Sequence, residues 1–197
     1  VSEVSRVYPT ENLFDLFKQF PEGFKVNQVY IKRGTYLIEI TLQGDSSNQT
    51  ISGVLTKTRA SEDITEKPEE TIKVDYIDRK FTFSDEEKAK EIWPFDGFLF
   101  QKLELNKAIL SQLELKKTYY NWETGDASIT YKNVNSKIIQ DYFHIQSSES
   151  LDLFISADHS ATIGYEYGYP VVFDGENISH SELITGKSKS MEKIDAK

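Results

Sequence analysis

The residues best suited to catalysis are the three histidines, and His159 in Asp158-His159-Ser160 has the most suggestive neighbours. An aspartate beside a histidine can orient the imidazole for general-base catalysis. A serine hydrolase of the common type would also need a Gly-x-Ser-x-Gly turn, which the sequence lacks. Because Asp and Ser favour turns and the segment lies between two strand patterns, we predict a polar hairpin tip. We therefore expect no catalytic residue, and a hydrolase built on His159 is the least favoured alternative.

The same residues give no pattern for a metal ion. No two histidines are four positions apart, so the helical spacing of a zinc site is absent. His144 falls near a predicted helix end and His180 close to the C-terminal end. The acidic stretch Asp174-Gly175-Glu176-Asn177 lacks the alternating ligands of a calcium loop. We expect no metal and no cofactor.

Aromatic side chains are the better candidates for recognition. Tyr165, Tyr167 and Tyr169 alternate along a predicted strand and therefore share one face, and Trp122 lies in an aromatic-rich turn. If that face is open to solvent, the tyrosines can bind a sugar or a protein. If it lies beneath helices, they form core. These four residues are the predicted ligand-binding set, with both alternatives open for the strand.

Composition excludes several classes of partner. The net charge of −9 argues against nucleic acid, because phosphate binding needs a basic face, and against adsorption to an anionic membrane. No apolar run approaches the ~20 residues that a membrane span requires. The sequence has no cysteine, in keeping with an exported protein of a Gram-positive bacterium. It begins at Val1 and not at a methionine, so a signal peptide and a lipid-bearing cysteine, if the protein has them, would lie upstream.

The first half of the chain predicts one helix followed by an antiparallel sheet. Thr10 is the predicted cap of a helix whose apolar face runs from Leu13 to Phe20, and Pro21 ends it. Strand patterns then follow one another with short turns between them. They cover 24–31, 36–42, 49–57, 71–77 and 80–83, with a charged excursion at 58–70.

The second half predicts helices and further strands. A capping box at Ser84-Asp85-Glu86-Glu87 opens a helix that runs to Trp93, a second helix covers 106–117, and Asn135 or Ser136 caps a third. Strand patterns occupy 127–131, 151–156 and 161–173. The predicted class is α+β, an antiparallel sheet with a few short helices packed on one face. We expect one domain at 1–185 and a disordered tail at 186–197.

The chain resembles the staphylococcal tandem lipoproteins. In that family Tyr-Pro, two variable residues and Asn-Leu-x-Asp-Leu open the mature domain, similar to 8–16 here. A charged helix before a Phe-rich segment is similar to 85–93 and 95–101. A Gly-Asp-x-Ser-Ile element is similar to 125–129, and a Gly-Tyr that opens the last strand is similar to Gly164-Tyr165. The order of these elements matches from about Tyr8 to Phe173.

The resemblance implies a surface antigen without enzymatic activity, anchored outside the cytoplasmic membrane through a lipidated cysteine. Members of the family are implicated in contacts with host cells. The leading prediction is thus a non-enzymatic, monomeric lipoprotein ectodomain that binds a host protein and meets the membrane only through its lipid. The alternative is an exported small-molecule or glycan-binding module that uses the aromatic strand face.

Overall fold

The computed structural model describes residues 4–60, 67–123, 125–160 and 166–187, with the backbone alone at 157–160, 166–167 and 187. Its main feature is one antiparallel sheet of ten strands, so the class is mostly β. The strands are β1 Phe24–Lys32, β2 Tyr36–Asp45, β3 Thr50–Arg59, β4 Glu70–Ile77, β5 Lys80–Phe83, β6 Glu114–Tyr120, β7 Ala127–Val134, β8 Leu151–Ser160, β9 Glu166–Asp174 and β10 Ile178–Lys187.

The strand order places the first and last strands side by side at the centre. The order is β5-β4-β3-β2-β1-β10-β9-β8-β7-β6, so every neighbouring pair except β1 and β10 is consecutive in the chain. β1 and β10 pair over their full length, from Phe24 opposite Gly186 to Lys32 opposite Ile178. Two meanders therefore extend from one central seam towards opposite edges.

The two faces of the sheet differ in burial. Along β1, Phe24, Val26, Gln28 and Tyr30 are buried, while the alternate side chains are half-buried or exposed. We call the face of the buried set the inner face. Short helices cover it: α1 Leu16–Gln19, α2 Glu86–Ile92, α3 Lys107–Leu110 and α4 Lys137–Phe143, with 3-10 turns at Val4–Arg6, Leu13–Asp15 and Leu99–Gln101.

The helix ends follow local capping rules, with some shifts from the sequence predictions. Asn12 caps the first turn through its Oδ1, whereas the Thr10 hydroxyl donates to the Val7 carbonyl. Asp85, one residue after the predicted Ser84, caps α2 by accepting from the Lys88 amide at 2.9 Å. Ser136, one of the two predicted caps, caps α4.

The structure differs from the sequence predictions in two parts of the second half. The predicted helix at 106–117 is limited to one turn, Lys107–Leu110, and Glu114–Tyr120 forms the edge strand β6. The polar segment after Asp174 contains β10, a central strand, which includes the first two residues of the predicted tail. The rest of that tail, 188–197, lies outside the described residues.

Close aromatic packing at the centre depends on two glycines. A Cβ atom on Gly44 would lie 2.4 Å from Cε1 of Phe24, and one on Gly186 would lie 2.3 Å from Cγ of Phe20. Both distances are too short for carbon atoms, so a larger residue would displace the ring. The glycines therefore let Phe20 and Phe24 lie against the central strands.

Candidate functional site

The densest group of polar side chains lies in the core, around Glu182 of β10. Its carboxylate accepts from the Tyr8 hydroxyl at 3.1 Å and from Gln28 Nε2 at 2.8 Å. The backbone amides of Leu99 and Phe100 donate to its two oxygens. Glu182 is only 1% exposed, and a buried carboxylate is tolerated when donors surround it in this way. The network thus fixes the N-terminal segment and the 99–101 turn to the sheet centre.

Gln28 extends this network towards the helices. Its Nε2 also donates to the Tyr142 hydroxyl at 2.8 Å, and its Oε1 accepts from Trp93 Nε1 at 2.8 Å. The Tyr142 hydroxyl donates in turn to the Gly97 carbonyl at 3.0 Å. One amide on β1 therefore connects α4 with the segment after α2.

His180 completes the group and gives it an acid–imidazole pair. Its Nε2 lies 3.3 Å from Glu182 Oε1, and its ring lies among Phe95, Tyr142 and Phe143. Its Nδ1 is buried and has no hydrogen-bond partner in the described part of the chain. Because both members of the pair are 1% exposed, no substrate can reach them in this conformation. The pair serves to hold the core together.

Burial also affects the two phenols of the network. Desolvation raises the pKa of Tyr8 well above its usual value, and the nearby Glu182 carboxylate raises it further. Desolvation likewise raises the pKa of Tyr142 well above its usual value, and the Glu182 carboxylate raises it further. Both phenols remain neutral donors over the physiological range.

The best candidate for a binding surface lies at the other end of the same meander, on the β6–β7 hairpin. Large apolar side chains are exposed there on a strand whose seven residues are all exposed. On the inner face these are Leu115 (54% exposed) and Tyr120 (51%), and Trp122 (88%) lies in the turn that follows β6; we call these three residues the hairpin surface. Tyr119 (52%) is adjacent to Tyr120 in the strand and therefore faces the opposite side of the sheet. A cluster of exposed tyrosine and tryptophan is typical of protein interfaces.

Register explains why the hairpin surface is open. Leu115 pairs with Tyr131, which pairs with Leu153, so the three side chains form one row on the inner face. Leu153 is 1% exposed and Tyr131 6%, but Leu115 is 54% exposed. In the described part of the chain, the helical layer therefore ends at β7 and leaves the inner face of β6 uncovered.

The edge of β6 is protected against pairing with another strand. Its register shifts between Leu115 and Lys117, which leaves Lys116 as an extra residue. Lys116 forms an ion pair with Asp152 of β8. Bulges and lysines on an edge strand hinder further strand addition. The hairpin surface is thus suited to binding through its side chains.

The predicted ligand-binding residues do not form one surface. Trp122 is exposed, and its ring meets that of Tyr120 edge to face at 4.6 Å between centroids. Tyr169 is 4% exposed and packs near Phe20, so its side chain belongs to the core. The backbone of Tyr167 pairs with His159 in β8 and β9, and its side chain is not described. Tyr165 lies outside the described residues.

The histidines occupy three different settings. The backbone of His159 belongs to β8, and the predicted hairpin tip falls partly on residues 161–165, which lie outside the described residues. His144 is exposed and ends α4 in the left-handed conformation. His180 is the one in the core, although its sequence context suggested a position near the tail. Ile178, His180, Glu182 and Ile184 alternate along β10, and this spacing was the sequence signal for a strand with one buried face. Because two of the four residues are polar, the pattern did not resemble the apolar alternation of a half-buried strand.

Within the described residues, no group of three or more acidic or histidine side chains is placed to hold a metal ion. None of the described helices is long and apolar enough to cross a membrane. No protein-family model matches this chain, and no curated protein matches it in sequence.

Proposed function

We propose that this chain is a non-enzymatic binding domain that recognises a protein partner through the hairpin surface. The observation that carries the proposal is the exposure of Trp122, Tyr120 and Leu115 at the uncovered end of one hairpin. Tyrosine and tryptophan contribute large contact areas at low entropic cost and dominate binding energy in protein interfaces. The closed His180–Glu182 pair supports a role without catalysis.

The partner is a different protein, and the domain itself is a monomer. The bulge and the lysine on β6 hinder edge-to-edge pairing of two copies. The net charge of −9 also makes association of two copies less favourable. The resemblance described above supports a partner on the host cell surface.

The cellular location of the domain is part of the same proposal, and the resemblance to the tandem lipoproteins supports it. The domain is the surface-exposed, antigen-like part of a lipoprotein of a Gram-positive bacterium. The lipoprotein is secreted with a signal peptide and held at the cell membrane by a palmitoylated cysteine. Metabolic labelling of the complete protein with palmitate, followed by fractionation of the producing cells, tests this part. Labelled protein in the membrane fraction is expected, and unlabelled protein in the cytoplasm would contradict it.

The binding proposal is tested on intact mammalian epithelial cells with fluorescently labelled protein. We expect saturable binding that trypsin treatment of the cells abolishes. The double variant Y120S/W122S should lose most of this binding, because it removes both contacting rings. Ile77→Ser is the matched control, since Ile77 is 56% exposed on β4, far from the hairpin. Equal binding of the wild type and Y120S/W122S, or no binding at all, would refute the proposal.

Glycan binding is the second candidate, and the edge-to-face pair of Tyr120 and Trp122 favours it. Exposed aromatic rings can also stack on the apolar faces of sugars. Periodate treatment of the cells destroys glycans while leaving protein in place. If periodate abolishes binding and trypsin does not, the glycan alternative replaces the protein partner.

A further inference from the structure

A cleft lies at the opposite end of the sheet from the exposed hairpin surface. It is a cleft of about 540 Å³ between the β4–β5 turn, α2 and the segment 93–102. We call it the α2 cleft. Its volume falls within the range of small-molecule sites, about 300–1,000 Å³. The binding role proposed for the hairpin does not involve it.

The apolar part of the α2 cleft is an aromatic cluster. The ring of Phe81 meets that of Trp93 edge to face at 5.2 Å, and Phe83 meets Trp93 at 5.9 Å. Phe95 also lines the cleft. Phe81 and Phe83 are half-buried on the edge strand β5, so their rings are partly available to a ligand. This wall suits a flat apolar or aromatic group.

Hydrogen bonds from the core hold this wall in place. Trp93 Nε1 donates to Gln28 Oε1, which fixes the indole against the sheet. Gln101 accepts from the Phe98 amide at 2.8 Å and donates to the Glu11 carbonyl at 2.9 Å, which fixes the loop on the other side. A ligand would therefore meet a site that is already formed, which reduces the cost of binding.

The charges around the α2 cleft are unbalanced. Glu86 accepts from the Phe83 amide at 2.9 Å, and Asp96 pairs with Lys102 at 2.8 Å. Arg79, Lys80 and Lys90 also line the cleft and form no ion pair with another described residue. Glu11 and Glu86 are the carboxylates of the lining that form no ion pair with another described residue, since the Phe83 amide that contacts Glu86 is uncharged. Outside the Asp96–Lys102 ion pair, an acidic protein thus presents three cations against two carboxylates around an aromatic wall.

We infer that the α2 cleft binds a small organic anion with an aromatic or apolar body. The body contacts Trp93, Phe81 and Phe83, and the anionic group lies between Arg79, Lys80 and Lys90. Electrostatic complementarity selects the charge, and the aromatic wall selects the shape.

The first test uses 8-anilinonaphthalene-1-sulfonate, an aromatic anion whose fluorescence rises in apolar surroundings. Its position is read from the two indole N–H signals of the ¹⁵N-labelled protein, assigned with a W122F variant. Binding in the cleft should move the Trp93 signal and leave that of Trp122 in place. A shift confined to Trp122 would place the dye on the hairpin surface and overturn the inference, as would the absence of binding.

The second test reverses charge at the rim. Lys80 and Lys90 are exposed, so K80E/K90E should fold normally, which circular dichroism checks. We expect its affinity for the dye to fall about tenfold, through two lost attractions and two new repulsions. K25E/K107E changes exposed lysines elsewhere by the same total charge and should bind as the wild type does.

An uncharged analogue, N-phenyl-1-naphthylamine, separates charge recognition from simple apolar adsorption. K80E/K90E should bind it as well as the wild type, because its ring contacts remain. If both double variants weaken the anionic dye equally, only overall charge matters and the inference is wrong. None of these outcomes bears on cell binding through the hairpin, so the two proposals fail separately.

Discussion

The centre and the β6 end of one sheet differ in what lies against their inner faces. At the centre, Gln28 and Glu182 are polar yet 1% exposed, because helices and loops donate hydrogen bonds to them. At the β6 end, Leu115 and Tyr120 are apolar yet more than half exposed, because none of the described helices extends that far. Each region thus reverses the usual relation between polarity and burial.

The difference shows which region stabilises the fold and which is available for binding. A buried carboxylate with several donors is costly to disturb, because each donor left without it remains desolvated. Exposed rings lose little on replacement, because water already reaches them. We therefore expect changes at the centre to affect stability and changes at the β6 end to affect binding.

The largest effect is expected from Glu182→Ala. Truncation leaves the amides of Leu99 and Phe100 and the Tyr8 hydroxyl without their acceptor, and should lower the free energy of unfolding by about 3–5 kcal/mol. Urea denaturation followed by fluorescence measures it. Glu182→Gln, which keeps one acceptor oxygen, should cost less. A loss below about 1 kcal/mol for Glu182→Ala would show that the centre does not depend on this network.

Alkaline pH should weaken the same region. The pKa values of Tyr8 and Tyr142 are raised in the folded state, so the unfolded chain loses these protons first. Stability is then fully present below about pH 10, the pKa of an unperturbed tyrosine, and falls as the pH rises through the folded values. At pH 11 the two phenols together should cost about 2–3 kcal/mol relative to pH 9. Denaturation curves at both pH values check this, and equal stability would contradict it.

Tyr8→Phe tests one contact of the network. It removes the 3.1 Å bond to Glu182 but leaves the Phe100 amide on the same oxygen, so we expect a loss of about 1–2 kcal/mol at pH 7. The variant should also lose less stability between pH 9 and pH 11. Tyr119→Phe, on the exposed edge strand, is the control and should change neither quantity. An unchanged alkaline slope in Tyr8→Phe would remove Tyr8 from this explanation.

The smallest effect on stability is expected at the β6 end. Trp122 is 88% exposed, and Trp122→Ala should change the free energy of unfolding by less than about 0.5 kcal/mol. Binding to cells should nevertheless fall in the same variant. A loss of stability comparable to that of Tyr8→Phe would mean that the hairpin is part of the structural core.

Much of the fold follows from local patterns in the sequence. β2 and β4 have the alternation and β-branched residues of half-buried strands, and the predicted ranges lie close to those observed. The Ser136 cap of α4 was also recognisable from sequence. These features depend on residues that are close in the sequence, so the sequence alone predicts them.

The missed strands depend on contacts between distant residues. The inner-face positions of β10 include His180 and Glu182, whose burial requires donors from Tyr8, Gln28 and the 99–100 amides. β6 contains lysines and apolar residues at spacings that also suit a helix, and pairing with β7 decides its conformation. Of the hairpin surface, the predicted ligand-binding set contained Trp122 alone, because the exposure of Tyr120 follows from where the described helical layer ends.

The pairing of β1 with β10 has a consequence for how the chain acquires its fold. The central seam joins residues 24–32 to residues 178–186, so it cannot form until the residues of β10 are available. A chain that emerges N-terminus first, from a ribosome or a translocation channel, must keep its β1–β5 meander without its central neighbour during synthesis or export. Pairing of β10 with β1 is therefore a late step in folding, and β1 lacks one of its two neighbouring strands until that step occurs.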